Sequence, residues 1–343
     1  MTKKNKVEIP SEIISIRPED GNYILDDKLA KAINVAMKFA QPLLLTGEPV
    51  TGKTLLAKHL AWLLHQQTKD AKEGEPKFAA APLKFNTKTT SSARDLFYTY
   101  DAIGHFQDAN IKRDASDEKK STKDFLTLQA LGKAIVLSQK QSDYGNVFKM
   151  GSDDKFESSH VVLIDEIDKA PRDFTNDLLN EIENKEFEVK ELDGKKIKKG
   201  AKNNQRIVII MTSNSEKNLP EAFLRRCVFY HIGFPQGKEM LEILYAQLPK
   251  DISQTVKDNV SKIETYFQEL RKEAIRKKPA TAELVAFVKL LNEDPAKMLE
   301  TENGFDKQWF LDNLSLLAKT ESDFKAFEKF IKGVQDSNEE QND

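Results

Sequence analysis

An eight-residue segment with two glycines, a lysine and a threonine constrains this chain more than any other part of its sequence. The segment reads GEPVTGKT from Gly47 to Thr54 and directly follows the apolar residues 42–46 (PLLLT). A short continuous apolar run is typical of a strand that is buried on both faces of a parallel sheet. Residues 53 to about 67 carry a helical pattern. The sequence therefore predicts a strand, a glycine-containing turn and a helix in succession.

The spacing of this segment matches G-x-x-x-x-G-K-[ST], a phosphate-binding arrangement. Small residues let successive backbone N–H groups converge on phosphate oxygens, and the following helix N-terminus adds partial positive charge. Lys53 can reach the β- and γ-phosphates of a nucleotide, where it also serves catalysis, and the Thr54 hydroxyl can bind Mg²⁺. The predicted nucleotide-binding residues of the loop are Gly47, Glu48, Pro49, Val50, Thr51, Gly52, Lys53, Thr54 and Leu55.

Two adjacent acids end a second apolar run. Residues 161–164 (VVLI) lead into Asp165 and Glu166, and ligands bind at the carboxyl ends of strands in open α/β sheets. Asp165 can complete the Mg²⁺ shell, directly or through water, and Glu166 can orient or activate an attacking water. An acidic strand end that caps the next helix is the alternative, but the phosphate loop favours the metal-site interpretation. We interpret Asp168 as structural.

A third apolar run and a pair of arginines complete the candidate site. Residues 207–211 (IVIIM) lead to Asn214, whose amide can hydrogen-bond the γ-phosphate or the water, although asparagine is also an ordinary turn residue. A short predicted helix then ends in Arg225 and Arg226. Arginine can stabilise charge on a transferring phosphoryl group, often from a neighbouring subunit. The alternative is a solvated pair that the helix dipole favours.

Strand-like and helical patterns alternate along the first two thirds of the chain, which predicts a wound α/β sheet. Two charged insertions interrupt the alternation: residues 101–125, and a predicted hairpin at 186–206 with Asp193-Gly194 as a two-residue turn signal. Further buried strands are predicted at 83–85, 161–164, 207–211 and 228–232. The predicted organisation is an extended lead-in at 1–20, a nucleotide-binding domain at 21–235, a helical domain at 236–333 and a disordered tail at 334–343.

Composition limits the class of protein. Among 343 residues, 53 Lys and Arg nearly balance 55 Asp and Glu, which disfavours a general nucleic-acid binder. One cysteine excludes an intramolecular disulfide, and with five histidines it argues against a Cys/His metal cluster. No apolar run approaches the roughly 20 residues of a membrane span, and no apolar stretch follows the basic N-terminus to suggest a signal peptide. We expect a cytoplasmic protein without a membrane span.

A basic cluster in the second insertion leaves three interpretations open. Six cations occur between residues 195 and 206, and such a run can contact nucleic-acid phosphates. No aromatic residue is interleaved for base stacking, and nearby acids offset the charge. A solvated hairpin is favoured over a protein contact, and nucleic acid is the least favoured. The cations are Lys195, Lys196, Lys198, Lys199, Lys202 and Arg206, and the acids are Glu186, Glu188 and Glu191.

The order of motifs GEPVTGKT, VVLIDEID, IVIIMTSN and LPEAFLRRCVFYHIGFP resembles that of AAA+ ATPases, and within them the MoxR-like branch. The resemblance covers about residues 20–235 and continues into the helical part. It implies the P-loop NTPase fold, a three-layer αβα sandwich with a parallel five-stranded sheet, followed by an all-helical lid domain.

The resemblance also implies roles for single residues. Residues 47–54 would be the Walker A loop, Asp165 and Glu166 the Walker B pair, and Asn214 sensor 1. Arg226 matches the arginine finger that acts on a neighbour's site, with Arg225 as the substitute candidate.

The cofactors and partners implied by the resemblance are ATP, Mg²⁺, a homo-hexameric ring and a protein partner that the ring remodels. Partners of MoxR-like proteins often carry a von Willebrand A domain. Two alternatives stay open: a nucleic-acid-directed AAA+ motor or loader, and a nucleotide-gated scaffold that hydrolyses weakly.

Two positions depart from the family pattern. Val50 stands where such sequences usually carry glycine, and a β-branched residue is poorly suited to a positive φ. We therefore predict that Val50→Gly raises nucleotide affinity or turnover; identical values in both proteins would contradict this. Ala282 stands where the lid usually supplies the sensor 2 arginine, so that Lys277 or Lys278 substitutes for it or lid closure couples weakly to the γ-phosphate.

Overall fold

A computed structural model describes residues 23, 25–49, 51–110, 120–200, 204–214, 219–249, 251–297 and 306–333, without the side chains of residues 179 and 180. The predicted lead-in at 1–20, Val50 and the predicted tail at 334–343 lie outside the described residues. Contacts divide the chain into two compact units. We call residues 25–47 and 52–232 the sheet unit, and residues 48–51 and 233–333 the helical unit.

Nine strands lie in the described part of the sheet unit. They are β1 (Leu43–Gly47), β2 (Leu83–Asn86), β3 (Tyr98–Tyr100), β4 (Leu126–Leu128), β5 (His160–Asp165), β6 (Glu186–Val189), β7 (Lys195–Lys198), β8 (Ile207–Thr212) and β9 (Val228–Ile232). Five of them form one parallel sheet in the order β2-β5-β8-β1-β9. The predicted parallel five-stranded sheet is therefore confirmed.

Seven helices belong to the described part of the sheet unit and five to that of the helical unit. The first seven are α1 (Asp27–Phe39), α2 (Lys53–Thr68), α3 (Ala102–Asn110), α4 (Ala130–Leu137), α5 (Gln141–Tyr144), α6 (Arg172–Asn184) and α7 (Glu221–Leu224). The other five are α8 (Lys238–Gln247), α9 (Gln254–Lys272), α10 (Thr281–Glu293), α11 (Lys307–Asp312) and α12 (Glu321–Lys332).

The sheet lies between two helical layers. On one face, Leu44, Ile209 and Met211 join a buried cluster with Phe174 of α6 and residues of α4 and α7. The other face packs against α1 and α2, which contact β1, β5, β8 and β9. The strands β1 and β8 are buried along their whole length, because both faces are covered. The arrangement is the predicted three-layer αβα sandwich.

The two outer strands are less buried than the sequence suggested. In β2 only Phe85 is buried, and β9 alternates between half-buried and exposed residues. Both strands lie at the edges of the sheet, β2 beside β5 and β9 beside β1. A short apolar run does not distinguish a central strand from an edge strand, so the prediction that these two are fully buried was wrong.

Each insertion has a two-stranded antiparallel base. The first insertion lies between β3 and β4 and contains α3, while residues 111–119 fall outside the described part. The second is the hairpin β6–β7, in which Glu186 lies opposite Lys198 and Glu188 opposite Lys196. Opposite charges at facing positions stabilise a hairpin.

The connection in the β6–β7 hairpin is longer than predicted. Val189 pairs with Lys195, so that five residues join the strands. Asp193 and Gly194 both have positive φ, at 54° and 70°, but a 3-10 turn at residues 190–192 precedes them. Glu191 in that turn accepts a 2.8 Å hydrogen bond from the Tyr98 hydroxyl. The two-residue signal is therefore the end of a five-residue connection.

The helical unit has its own apolar core. Residues of α8, α9, α10, α11 and α12 form one buried cluster that includes Phe287, Phe310 and Phe327. The predicted helical region after the sheet is therefore confirmed. Among the helices of the described residues, none combines the length and the apolar character that a membrane crossing requires.

Candidate nucleotide-binding and catalytic site

The phosphate loop follows β1 and leads into α2, as its sequence predicts. Gly47 and Gly52 have φ values of 144° and 84°, in the region where glycine lacks the steric penalty of other residues. No side chain caps the first turn of α2, so its backbone N–H groups are donors for an anion. The Lys53 ammonium is buried and donates a 2.8 Å hydrogen bond to the Gly47 carbonyl. Inside the loop, Thr51 donates to the Glu48 carbonyl at 2.9 Å.

The Thr54 hydroxyl connects the start of α2 to the end of β5. It lies 3.0 Å from Asp165 Oδ1 and 3.2 Å from Oδ2. Hydroxyl and carboxylate oxygens are the hard donors that Mg²⁺ takes, and Mg²⁺ usually keeps several waters beside one or two protein ligands and phosphate oxygens. The two residues expected to hold the metal are thus adjacent, and their chemistry fits Mg²⁺.

Thr212, at the end of β8, is hydrogen-bonded to both acids at the end of β5. At the end of β8, its buried hydroxyl donates to Asp165 Oδ1 at 2.6 Å and accepts from the Glu166 backbone N–H at 2.9 Å. Because β8 and β5 are neighbours in the sheet, the last residue of one strand can hold both acids at the end of the other. The hydroxyl therefore fixes where the carboxylate of Asp165 points.

Lys84 supplies a cation to the same carboxylate. Its Nζ lies 2.9 Å from Asp165 Oδ2, with 41% of the Lys84 side chain exposed against 12% of the Asp165 side chain. Burial acts to raise the pKa of Asp165, but hydrogen bonds from Thr212, Lys84 and Thr54, together with the Lys84 charge, hold the pKa below its usual value. Asp165 is therefore an anion at neutral pH.

Glu166 occupies a strained backbone conformation. Its φ and ψ are 57° and 50°, and a non-glycine residue pays about 1–3 kcal/mol for such a position. The surrounding bonds hold it there: its N–H donates to Thr212, and its carboxylate pairs with Lys169 at 2.6 Å. The carboxylate is partly exposed, so water can reach it.

Asn214 follows β8 and is exposed. Its backbone N–H donates to Asp168 Oδ1 at 3.2 Å, so that Asp168 fixes the loop that carries the asparagine. The predicted sensor and the acid interpreted as structural are therefore brought together at the end of the sheet where Asp165 and Thr212 lie.

Arg225 and Arg226 lie at the opposite end of the sheet. They precede β9, whose first residue Val228 pairs with Leu43 at the start of β1, whereas the phosphate loop follows the end of β1. Five residues of strand separate the two ends, about 13 Å at 3.3 Å per residue. The structure therefore places neither arginine at the phosphate loop of its own chain.

The two arginines differ in their surroundings. Arg225 pairs with Glu221 one helical turn earlier, and both side chains are largely exposed. Arg226 lies 3.7 Å from Glu183 at the end of α6 and lines a cavity of about 270 Å³ together with Ile182.

A different arginine of the helical unit contacts the loop residues that belong to that unit. Ala282 is exposed in the first turn of α10, and Lys277 and Lys278 are exposed after α9. Arg271 is 7% exposed and pairs with Glu48 at 2.8 Å. It also donates to the Pro279 carbonyl, and its guanidinium lies 3.3 Å from the centroid of the Phe234 ring. These contacts hold the guanidinium in one orientation.

Sequence reasoning did not single out Lys84, Thr212 or Arg271. The signal for Thr212 was present, since a polar residue ends a long apolar run, but Asn214 two residues later has the same signal. Lys84 lies in a short edge strand with an exposed lysine, which is common, and Arg271 lies in a long helix with several exposed cations.

Three solved structures show remote likeness to this chain. The AAA domain of FIGL-1 in complex with ADP is 16% identical, with a TM-score of 0.38, over 85% of this chain and 78% of that chain. NtrX from Brucella abortus in complex with ATP is 13% identical, with a TM-score of 0.36, over 84% and 56%. Another structure of the same NtrX is 15% identical, with a TM-score of 0.39, over 90% and 59%.

This chain thus spans less than two thirds of the NtrX chains. At such scores, none of the three likenesses carries a conclusion about this chain. Curated proteins gave no match.

A family model gives the decisive match. The model for the AAA domain of the dynein-related subfamily covers residues 42–227, more than half of the chain. The matched part runs from β1 to the residue after the arginine pair, and it contains the phosphate loop, both acids and Thr212. The chain belongs to the dynein-related subfamily of AAA domain proteins.

Proposed function

We propose that this chain binds ATP and hydrolyses it to ADP and phosphate. The observation that carries the proposal is the junction of Thr54, Asp165 and Thr212, with hydroxyl–carboxylate distances of 2.6–3.2 Å. It joins the first turn of the helix after the phosphate loop to the ends of two central strands. The choice of adenine as the base is supported only by the resemblance to AAA+ ATPases, because the phosphate-loop motif itself does not distinguish one base from another.

The residues of the phosphate loop and of the junction each have a role in this proposal. The N–H groups of residues 52–55 and the Lys53 ammonium bind the phosphates, and Thr54 and Asp165 would hold Mg²⁺. When bound, Mg²⁺ offsets charge on the β- and γ-phosphate oxygens. Thr212 keeps Asp165 ionised and oriented.

Glu166 is the proposed base that orients the attacking water and accepts its proton. Its partly exposed carboxylate pairs with Lys169 through Oε2, so opening of this ion pair would free that oxygen to accept the proton. A solvent-exposed ion pair contributes little to stability, so little free energy is needed to open it. The amide of Asn214 is proposed to position the same water or the γ-phosphate.

A ring of identical subunits, proposed here as a hexamer, accounts for the position of Arg226. The arginine lies at the end of the sheet opposite its own phosphate loop, and this position supports the proposal that it completes the site of a neighbouring copy. We propose membership of the MoxR-like branch and remodelling of a protein partner, with a von Willebrand A domain as the partner module, on the resemblance of the motifs.

Mixing two inactive variants tests hydrolysis and the shared site together. Glu166→Gln lacks the base but keeps Arg226, and Arg226→Ala keeps the base but lacks the arginine. Each variant alone is expected to release phosphate near background. An equimolar mixture should recover activity at interfaces where an intact Glu166 meets an intact Arg226. A mixture as inactive as its components, beside an active wild type, would contradict the shared site.

The nucleic-acid alternative stays the less favoured one. Two cations of the basic cluster, Lys196 and Lys198, lie opposite glutamates in the β6–β7 hairpin, so carboxylates offset their charge. Residues 201–203, which include Lys202, lie outside the described residues. Binding to DNA or RNA that weakens steeply with salt would restore this alternative.

A further inference from the structure

Lys84 pairs with the carboxylate that is proposed to bind magnesium. In the parallel pair β2–β5, Lys84 lies opposite Leu163, two residues before the Asn86–Asp165 pair. Its side chain extends along the strand and its ammonium reaches Asp165 Oδ2 at 2.9 Å. The Thr54 hydroxyl lies 3.2 Å from the same Oδ2.

Two cations at this position repel each other. A divalent ion held between Thr54 and Asp165, directly or through one water, would lie within a few ångströms of the Lys84 ammonium. At such a distance the divalent ion and the ammonium would repel each other strongly, even at an effective dielectric constant near 20. Because 41% of the Lys84 side chain is exposed and its four-carbon stem is flexible, the ammonium can move into water.

We propose that Lys84 competes with Mg²⁺ for Asp165 and thereby raises the free Mg²⁺ concentration that this chain needs to bind ATP tightly. The lysine holds the carboxylate until the metal and the nucleotide arrive together. This inference rests on the proposed function, since it assigns Asp165 to the metal. It adds a magnesium threshold that is set by a residue outside the phosphate loop and the paired acids.

The change in Mg²⁺ requirement and in nucleotide affinity on removal of the Lys84 charge distinguishes competition with Mg²⁺ from a role in binding the γ-phosphate. If the ammonium moved onto the γ-phosphate instead of leaving, a neutral residue at position 84 would weaken nucleotide binding at saturating Mg²⁺. If Lys84 competes with the metal, a neutral residue lowers the Mg²⁺ requirement and leaves affinity at saturating Mg²⁺ unchanged.

The experiment measures the affinity of a fluorescent, non-hydrolysable ATP analogue over a series of free Mg²⁺ concentrations. The variants are Lys84→Gln and Lys84→Met, which remove the cation, and Lys84→Arg, which keeps it. Lys77→Gln is the matched control, because Lys77 is exposed and lies beside Ser159 at the start of β5, at the other end of the strand. Thermal unfolding of each variant shows whether it is folded.

Lys84→Gln and Lys84→Met are expected to reach half of the Mg²⁺-dependent gain in affinity at about threefold to tenfold lower free Mg²⁺ than the wild type, which corresponds to the loss of a partly exposed ion pair. Lys84→Arg and Lys77→Gln should match the wild type. An unchanged or higher Mg²⁺ requirement in both neutral variants would overturn the inference. A wild type that binds no analogue at any Mg²⁺ concentration would instead overturn the proposed ATP binding.

Discussion

Thr212 donates a 2.6 Å hydrogen bond to Asp165, so a residue of one strand orients the carboxylate at the end of its neighbour. The same hydroxyl accepts from the backbone of the residue after Asp165. One buried side chain therefore holds the geometry of both proposed acids, and its removal should affect folding and nucleotide binding together.

Thr212→Val removes the hydroxyl and keeps the side-chain shape. The largely buried Asp165 carboxylate and the Glu166 N–H each lose a partner, so the free energy of unfolding should fall by about 1–3 kcal/mol. Denaturant unfolding measures this, and Mg²⁺-dependent binding of an ATP analogue should weaken in parallel. Thr212→Ser is the control, because it keeps the hydroxyl. A Thr212→Val protein as stable as Thr212→Ser would contradict the role of the hydroxyl.

The arginine pair gives a prediction that distinguishes two neighbouring residues. Arg226→Ala should lower phosphate release on the order of 10³-fold while affinity for an ATP analogue stays close to that of the wild type. Arg225→Ala should retain near wild-type turnover, since Arg225 is exposed and pairs with Glu221 on its own helix. Steady-state phosphate release with both variants checks this. Equal losses in the two variants would show that the arginines act as a unit.

We expect the contacts of Asp323 in the helical unit to weaken at acidic pH. Its buried carboxylate accepts backbone N–H bonds from Ile275, Arg276 and Lys277 and a hydroxyl bond from Thr320. Burial acts to raise the pKa of Asp323, but these bonds hold it below its usual value. Because the pKa of Asp323 is lower in the folded protein than in the unfolded chain, its ionised form stabilises the fold at pH values above the unfolded-chain pKa of about 3.9. This stabilisation is lost as the pH falls through the pKa of the folded protein.

Thermal unfolding of the wild type and of Asp323→Asn, measured as a function of pH, tests whether ionised Asp323 stabilises the fold. The wild type should be the more stable protein at neutral pH, and the difference should shrink as the pH falls below about 4. Asp312→Asn is the control, because this acid is exposed and accepts a hydrogen bond from Gln308 on its own helix. A difference that stays constant with pH would mean that the ionised form of Asp323 is not what stabilises the segment.

We expect His160, the first residue of β5, to make the free energy of unfolding depend on pH just below neutrality. Burial, with a smaller contribution from the nearby Lys133, lowers the pKa of His160 from 6.5 to about 4, and Asp154 acts in the opposite direction. Since the folded-state pKa is depressed, the stabilisation is complete above about pH 6.5 and is lost between 6.5 and 4.

The free energy of unfolding should therefore fall by about 2 kcal/mol more in the wild type than in His160→Gln between pH 7 and pH 5. Glutamine can retain the hydrogen bond to Ser158, which lies 2.8 Å from His160 Nε2. Parallel pH profiles for the two proteins would contradict this assignment.

The features that local sequence encodes were predictable. The loop at 47–54, the helix that follows it and the run ending in Asp165 each depend on neighbours along the chain. The contacts of Asp165 with Thr212 and Lys84 depend instead on the strand order β2-β5-β8. No local pattern specifies which strands are neighbours, so these partners could not be identified from the sequence.

The same limit applies to the arginine pair and to the hairpin. The sequence identifies Arg226 as a candidate, but only the parallel pairing of β9 with β1 shows that it lies at the end of the sheet away from its own loop. The turn signal at Asp193 is local, whereas the hydrogen bond from Tyr98 to Glu191 in the same connection joins residues far apart in the chain.

Phosphate release in the presence of Mg²⁺ and ATP, compared between the wild type and Glu166→Gln, tests hydrolysis most directly. We predict release well above background for the wild type and at background for Glu166→Gln, with affinity for a non-hydrolysable analogue preserved in both. A wild type that binds the analogue but releases phosphate no faster than Glu166→Gln would contradict the proposed ATPase activity.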